Sequence, residues 1–337
     1  MFRFRRSEML KGVAPILIVL GVVANPADAT AQERGQVRIG LNRAWGSAAL
    51  VIALHQGHVK RAGVNVVERS FDNTADIVQA ISSGDLDAGV STAGVLFTAI
   101  QRGVKAKAVA LGGGEQHPPN SFKVRADSGI NRVADLKGKT AGVGGFGGNS
   151  DLFLRYWLTK AGLDPKTDVK IVFVPFALTV PSLVNRQIDL AGVGGVQSIG
   201  ADRQFPGQLK TLFNYYDVSK EAFGNENMNN LLLVFGTAFI ERDREAGVRF
   251  LEGYLRAIQA MHADPKKAVN DWADGNKIEA IRSLDKPVVY PSDGKIYLDA
   301  LQFEAGLVLK FGYVKQPVDL GLVVDHSLID EAARRLK

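Results

Sequence analysis

One pattern of about fifty residues occurs twice in this chain, and few folds are compatible with that. The first copy runs from Val37 to Gly94 and the second from Lys139 to Gly195. Each reads as strand, Gly/Asn/Ser-rich loop, amphipathic helix ending in Ala-Gly, strand, loop, helix and a short Asp-led strand. Ala62-Gly63 matches Ala161-Gly162, and Asp87 to Val90 matches Asp189 to Val193. A solenoid needs three or more stacked units. Two βαβαβ units instead predict an α/β chain of two lobes with a cleft between them.

Strand and helix alternate, so each lobe is expected to be a mostly parallel sheet flanked by helices, with right-handed crossovers. Ser47 is read as the cap of a first helix stopped by Gly63, Asn73 or Thr74 as the cap of Ala75 to Ser83, and Ser91 or Thr92 as the next cap. Gly112-Gly113-Gly114 is the strongest breaker in the chain and marks the first crossing between lobes. Lys210 to Tyr215 marks the return, and the wholly apolar Leu231 to Phe235 is assigned to the first lobe's sheet. The expected division is residues 32–114 and 216–337 for lobe I and 115–215 for lobe II. Two crossings make a two-strand hinge, and a hinge allows closure over a ligand.

Residues 1–31 read as a cleavable signal peptide. Arg3, Arg5, Arg6 and Lys11 precede the apolar Gly12 to Ala24, and Ala27-Asp28-Ala29 and Ala29-Thr30-Ala31 both fit a cleavage site. Periplasmic export follows as the expectation. Cysteine is absent, which removes disulfides, thiolate metal sites, a cysteine nucleophile and a lipid-anchored cysteine. The whole chain carries +6, and the portion after residue 31 is nearer +4. No Lys/Arg run or basic-aromatic stripe points to nucleic acid.

Ligands of open α/β sheets bind outside the carboxyl ends of the strands. The loops expected there contain Asn42, Arg43, Trp45 and Ser47, then Asn73 and Thr74, then Ser91 and Thr92. In the second copy they contain Gly147, Gly148, Asn149 and Ser150, then Thr179, then Gly195. All precede helices, whose first turns expose unpaired N–H groups and the positive end of a dipole. Such starts aimed at one cleft suit an anion without a metal. Arg43 either pairs with that anion or is solvated. Trp45 either caps an organic ligand or lies in the core. Asp72 either caps its helix or meets a ligand amine. Gly142-x-Gly144-x-x-Gly147 matches a dinucleotide fingerprint, but the following strand ends in Pro175-Phe176 with no acid for a ribose. The histidines at 55, 58, 117, 262 and 326 are scattered, and no nucleophile elbow or zinc-protease motif occurs. No catalytic residue and no cofactor is assigned.

Several segments carry a resemblance along most of the chain. They are Val37-Arg38-Ile39-Gly40, Ser83-Gly84-Asp85-Leu86-Asp87-Ala88-Gly89, Val133-Ala134-Asp135-Leu136-Lys137-Gly138-Lys139, Lys160-Ala161-Gly162-Leu163 and Gln187-Ile188-Asp189-Leu190-Ala191. On these the chain resembles periplasmic substrate-binding proteins of ABC importers, in the nitrate/sulfonate/bicarbonate/taurine branch that also includes thiamine-precursor binders. The resemblance implies a type II periplasmic binding fold, capture of a small solute by lobe closure, and delivery by a monomer to an inner-membrane permease. The loop with four glycines and Asn149 departs from the commoner short Gly-Ser/Thr form. Two other classes share such a fold: an enzyme of the pyrimidine-precursor synthase type, and a sensor subunit that presents its ligand to a receptor.

Overall fold

The computed structural model describes residues 35–42, 47–114, 120–285 and 288–337. The expected signal segment lies outside the described residues, and so do Arg43 and Trp45. No helix among the described residues is long and apolar enough to cross a membrane.

In chain order the strands are β1 (Gln36–Leu41), β2 (Asn65–Ser70), β3 (Ala88–Ser91), β4 (Ala106–Gly113), β5 (Ser121–Arg125), β6 (Thr140–Val143), β7 (Lys170–Phe173), β8 (Leu190–Val193), β9 (Leu209–Asn214) and β10 (Leu231–Gly236). They form two five-stranded sheets, β2-β1-β3-β10-β4 and β7-β6-β8-β5-β9. Each has four parallel strands and one antiparallel strand, β10 in the first and β5 in the second. The order is the same in both, with the antiparallel strand in the same place. That strand is always the first one laid down after the chain crosses from the other sheet. β10 is buried along its whole length, which is why its sequence is apolar without alternation.

The paired aspartates of the two copies have a common task. Asp87 Oδ2 accepts the Arg38 N–H at 2.9 Å, pinning the start of β1 to β3. Asp189 Oδ2 accepts the Thr140 N–H at 2.9 Å, doing the same for β6 and β8. The paired glycines are also structural. A Cβ on Gly40 would sit 2.7 Å from Leu86 Cδ1, and one on its counterpart Gly142 would sit 2.6 Å from Ile188 Cδ1. Gly142 therefore owes its place to packing beneath the sheet, whatever the fingerprint it belongs to.

Several local readings are corrected. The first helix is two, Ala48–His55 and His58–Arg61, broken at Gly57 in the left-handed region. Gly112 and Gly113 continue β4 and do not break it. A Cβ on Gly112 would lie 2.7 Å from the Leu232 carbonyl carbon, so glycine permits close approach of β10 at a bulge. Buried tyrosines secure this strand end, Tyr254 donating to the Leu111 carbonyl and Tyr290 to the Gly112 carbonyl at 3.2 Å. The helix Leu298–Lys310 packs on the helix Ala93–Gln101 beside the first sheet, and also on Asn149–Lys160 beside the second. Of the scattered histidines, His55 has Nε2 3.4 Å from Glu68 Oε2.

The C-terminal helix Ser327–Arg335 is clamped to the helix Arg244–Ala263 by charge. Glu245 accepts from Arg335 at 2.8 and 2.9 Å and from Arg249 at 2.9 Å. These guanidiniums, Arg335 foremost, hold the Glu245 carboxyl down at about 2. Glu331 is likewise lowered by Arg244 and Arg335. A depressed carboxyl stabilises the fold above its unfolded value and loses that contribution as pH falls toward the folded one. The melting temperature followed by circular dichroism should therefore fall as pH falls from about 4.5 to about 2, and Arg335→Ala should flatten that slope. The effect is small because the pairs are exposed. An identical slope in the variant would contradict it.

Candidate functional site

A cavity of about 360 Å³ lies at the carboxyl ends of the strands, lined from both sheets. The first sheet contributes residues 72–76 with Thr92 and Val95, and the second contributes Gly144, Gly145, Phe146, Gly148, Asn149, Ser150 and Phe173. Three helix starts open on it: Thr74–Ser83, Ala93–Gln101 and Asn149–Lys160. Asn73 caps the first, accepting the Asp76 N–H at 2.9 Å. The other two have no side-chain cap. Thr92 holds an N-cap position yet does not cap, and its Oγ1 is buried with no partner among the described residues. Gly148 has no side chain to cap with.

Asn149 joins the cavity to the crossing. Its Nδ2 donates to the Asn229 and Asn230 carbonyls at 3.4 and 3.3 Å, while Oδ1 is buried without a partner. Asn230 donates to the Gly114 carbonyl at 2.6 Å and accepts from Asn120 Nδ2 at 3.0 Å. Asn120 Oδ1 in turn accepts the Gly195 N–H at 2.9 Å. The two crossing segments are thus tied to one another by buried amides, and the amides reach the cavity through Asn149.

The two lobes also touch at the cavity. A Cβ on Gly94 would fall 2.0 Å from the Gly147 carbonyl oxygen. Gly147 has φ of 72°, and its N–H is held by Asp151 Oδ2 at 2.9 Å. Asp151 is fully buried, pairs with Arg155 Nε at 2.7 Å and accepts from the Tyr313 hydroxyl. Burial and the Asp151 charge push the Tyr313 hydroxyl up, so it remains a donor. Phe146 and Phe173 are both 51% exposed. Among the described lining residues the charged groups are Asp72 and Asp76, the latter engaged with Asn73 Nδ2 at 2.7 Å.

Of the residues singled out from sequence, Asn73, Thr74, Thr92, Gly148, Asn149 and Ser150 line this cavity. Ser150 Oγ accepts the Gly144 N–H at 3.2 Å and so shapes the loop. Asn42 is buried beside it, donating to the Asp72 carbonyl at 3.0 Å. Gly147 lies in the same loop, its N–H held by Asp151, but it is not among the lining residues. Ser47 makes no cap bond, and its Oγ is buried without a partner among the described residues. Ser91 donates to the Thr92 carbonyl at 3.0 Å and is fully buried. Thr179 bonds the Phe176 carbonyl at 2.9 Å and, like Gly195, lies outside this cavity. Asp72 does not cap, since Asn73 holds that position. Missing from the sequence reading are Phe173, Val95 and the amides of Asn120, Asn229 and Asn230. Two asparagines directly before the apolar run at Leu231 were the available signal for the last pair. No group of three or more metal-ligating side chains occurs among the described residues.

A family model described as NMT1/THI5 like matches residues 46–268. A protein of Brucella abortus (strain 2308) named as a binding protein is 28% identical over 304 residues, covering 84% of this chain and 88% of that one. Among solved structures, the periplasmic nitrate-binding protein NrtA from Synechocystis PCC 6803 superposes with a TM-score of 0.73 at 16% identity, over 90% of each chain. The desulfurization enzyme DSZB superposes with a TM-score of 0.65 at 12% identity, over 90% of this chain and 100% of that one. The architecture is the two-lobed α/β fold of periplasmic binding proteins, and that fold also carries an enzyme.

Proposed function

We propose that this chain, which belongs to the NMT1/THI5-like family, is the solute-binding component of an ABC importer. In this reading it is exported to the periplasm, holds one small solute between its lobes and hands it as a monomer to an inner-membrane permease. The observation that carries the reading is the cavity lined from both sheets, where Thr92 Oγ1 and Asn149 Oδ1 are buried without partners among the described residues beside three helix starts. Buried polar atoms are normally bonded, so a bound solute is the natural partner for these two. The free first-turn N–H groups of the uncapped helices favour acceptor atoms on it, as in a sulfonate, carboxylate or nitrate head group. Phe146 and Phe173 offer apolar contact to an organic body. The binding-protein relative in Brucella supports binding over catalysis.

Calorimetry against sulfonates, carboxylates, nitrate and pyrimidines tests this. The expected result is one site per chain, with a Kd near a micromolar, about −8 kcal/mol, and the ligand recovered unchanged. Conversion of the bound ligand at stoichiometric protein would favour the enzyme reading instead. Small-angle scattering should show a smaller radius of gyration at saturation. Thr92→Val supplies a further check. It removes a hydroxyl that lacks a partner, so the unliganded melting temperature should hold or rise. Affinity should fall about tenfold, one neutral hydrogen bond's worth. Unchanged affinity would remove Thr92 from the site.

A further inference from the structure

We propose that Asn149 determines specificity, admitting solutes that present an N–H or O–H donor to its Oδ1 and disfavouring those whose polar atoms are all acceptors. This rests on the solute-binding reading above. The side-chain amide has two ends, and one is committed. Nδ2 faces the Asn229 and Asn230 carbonyls. Turning the amide over would set Oδ1 against two carbonyl oxygens, which donate nothing. Oδ1 is therefore the uncommitted end of the amide on a cavity-lining residue that is 2% exposed, buried and with no partner among the described residues. An amide oxygen only accepts. A purely acceptor solute such as nitrate or a simple alkanesulfonate leaves it unsatisfied, whereas an amino or hydroxyl group completes it.

The rest of the wall points the same way. Asp72 adds an exposed carboxylate, and no lysine or arginine lines the cavity among the described residues. Thr92 Oγ1 can donate or accept, so it does not discriminate. The helix starts serve acceptor atoms and Asn149 serves a donor, so the preferred class carries both. Amino- or hydroxyl-substituted organic acids fit it. Because the same amide nitrogen holds the crossing at Asn229 and Asn230, the residue that reads the solute also touches the segment about which the lobes close.

Matched probes test this. Ethanesulfonate is compared with 2-hydroxyethanesulfonate and 2-aminoethanesulfonate, and benzoate with 4-hydroxybenzoate and 4-aminobenzoate, by calorimetry on the unaltered protein, on Asn149→Ala and on Asp72→Asn. The expected result is that the donor-bearing members bind about ten- to thirtyfold tighter than their parents. The hydroxyl members should show the preference as well as the amines, because it reflects a donor and not a positive charge. Asn149→Ala should reduce the ratio to less than about threefold, and Asp72→Asn should keep it for the hydroxyl series. Equal binding within a series by the unaltered protein would overturn the proposal while leaving solute binding intact. So would a ratio that persists in folded Asn149→Ala. The comparison within the unaltered protein stands even where the variant does not fold. Failure of every member of both series to bind would count against the solute-binding reading itself, and the proposal would fall with it.

Discussion

Gly94→Ala is expected to weaken solute binding by about thirtyfold or more while leaving the melting temperature of the unliganded protein nearly unchanged. The added methyl would lie 2.0 Å from the Gly147 carbonyl oxygen and 2.9 Å from Leu152 Cδ1. Gly147 cannot retreat easily, because Asp151 holds its N–H and Tyr313 packs 3.2 Å from its Cβ position. The clash joins a helix of the first lobe to a loop of the second, so parting the lobes relieves it. Overpacking costs roughly 1–3 kcal/mol, and about 2 kcal/mol is about thirtyfold in an equilibrium constant. That cost falls on the closed state, which the ligand needs. Calorimetry with a ligand from the screen, melting curves and small-angle scattering together decide it. A melting temperature lowered by many degrees would mean that Gly94 is packed equally in the open form. Unchanged affinity would mean that the lobes do not meet there when the ligand is bound.

Asp87→Ala should produce the largest loss of stability among single changes outside the cleft. The Asp87 side chain is 1% exposed and receives the Arg38 N–H, the Arg38 guanidinium at 2.9 and 3.0 Å, and Arg242 Nη2 at 2.7 Å. Burial alone would raise its carboxyl, but Arg38 and Arg242 outweigh that and hold it below the usual range. Removing one member of a buried pair costs about 3–5 kcal/mol. The lower end applies, because the two arginines are 27% and 39% exposed and can turn to water. At 2–4 °C per kcal/mol the melting temperature should drop by about 6–12 °C. Asp189→Ala is the internal comparison. Asp189 holds the Thr140 N–H but meets Arg125 at 3.8 Å, with its side chain 30% exposed. Its loss should be markedly smaller. Equal losses at both positions would show that the strand-start bond, common to the two, carries the effect and the ion pairs do not.

These two aspartates also show why the fold was readable from sequence. Each carboxylate sits 49 residues from the strand it pins, so duplication of the unit repeated both partners at the same spacing. Apolar β10 was equally legible, because burial on both faces writes itself into every residue of the strand. What local pattern could not supply was contact across long stretches of chain. Tyr313 reaches Asp151 over 162 residues, and Asn149 reaches Asn229 over 80. Neither side of such a contact differs from an ordinary polar residue. Glycine misled for a related reason. At Gly112 the missing side chain admits a neighbouring backbone, whereas the run of three glycines read as a break. Capping residues misled too. Ser47 and Thr92 stand where caps belong, but neither hydroxyl caps its helix. The cleft residues found from sequence were those in loops that lead from a strand end into a helix. The aromatic Phe173 closes β7 and belongs to no motif.

The place of β10 has a consequence for the order in which this protein assembles. Gly113 at the end of β4 pairs with Leu231 at the start of β10, and the two strands run antiparallel side by side. They are the two arms of a hairpin, and the whole of β5 to β9 occupies the position of its turn. The second sheet is contiguous, from Ser121 to Asn214. A chain emerging from its amino end can complete that sheet while the first still lacks its penultimate strand, with β3 and β4 unjoined. The first lobe begins earlier and finishes later. The cleft is therefore the seam between a hairpin and the body spliced into its turn, and it comes into being only when the last arm of that hairpin slides home.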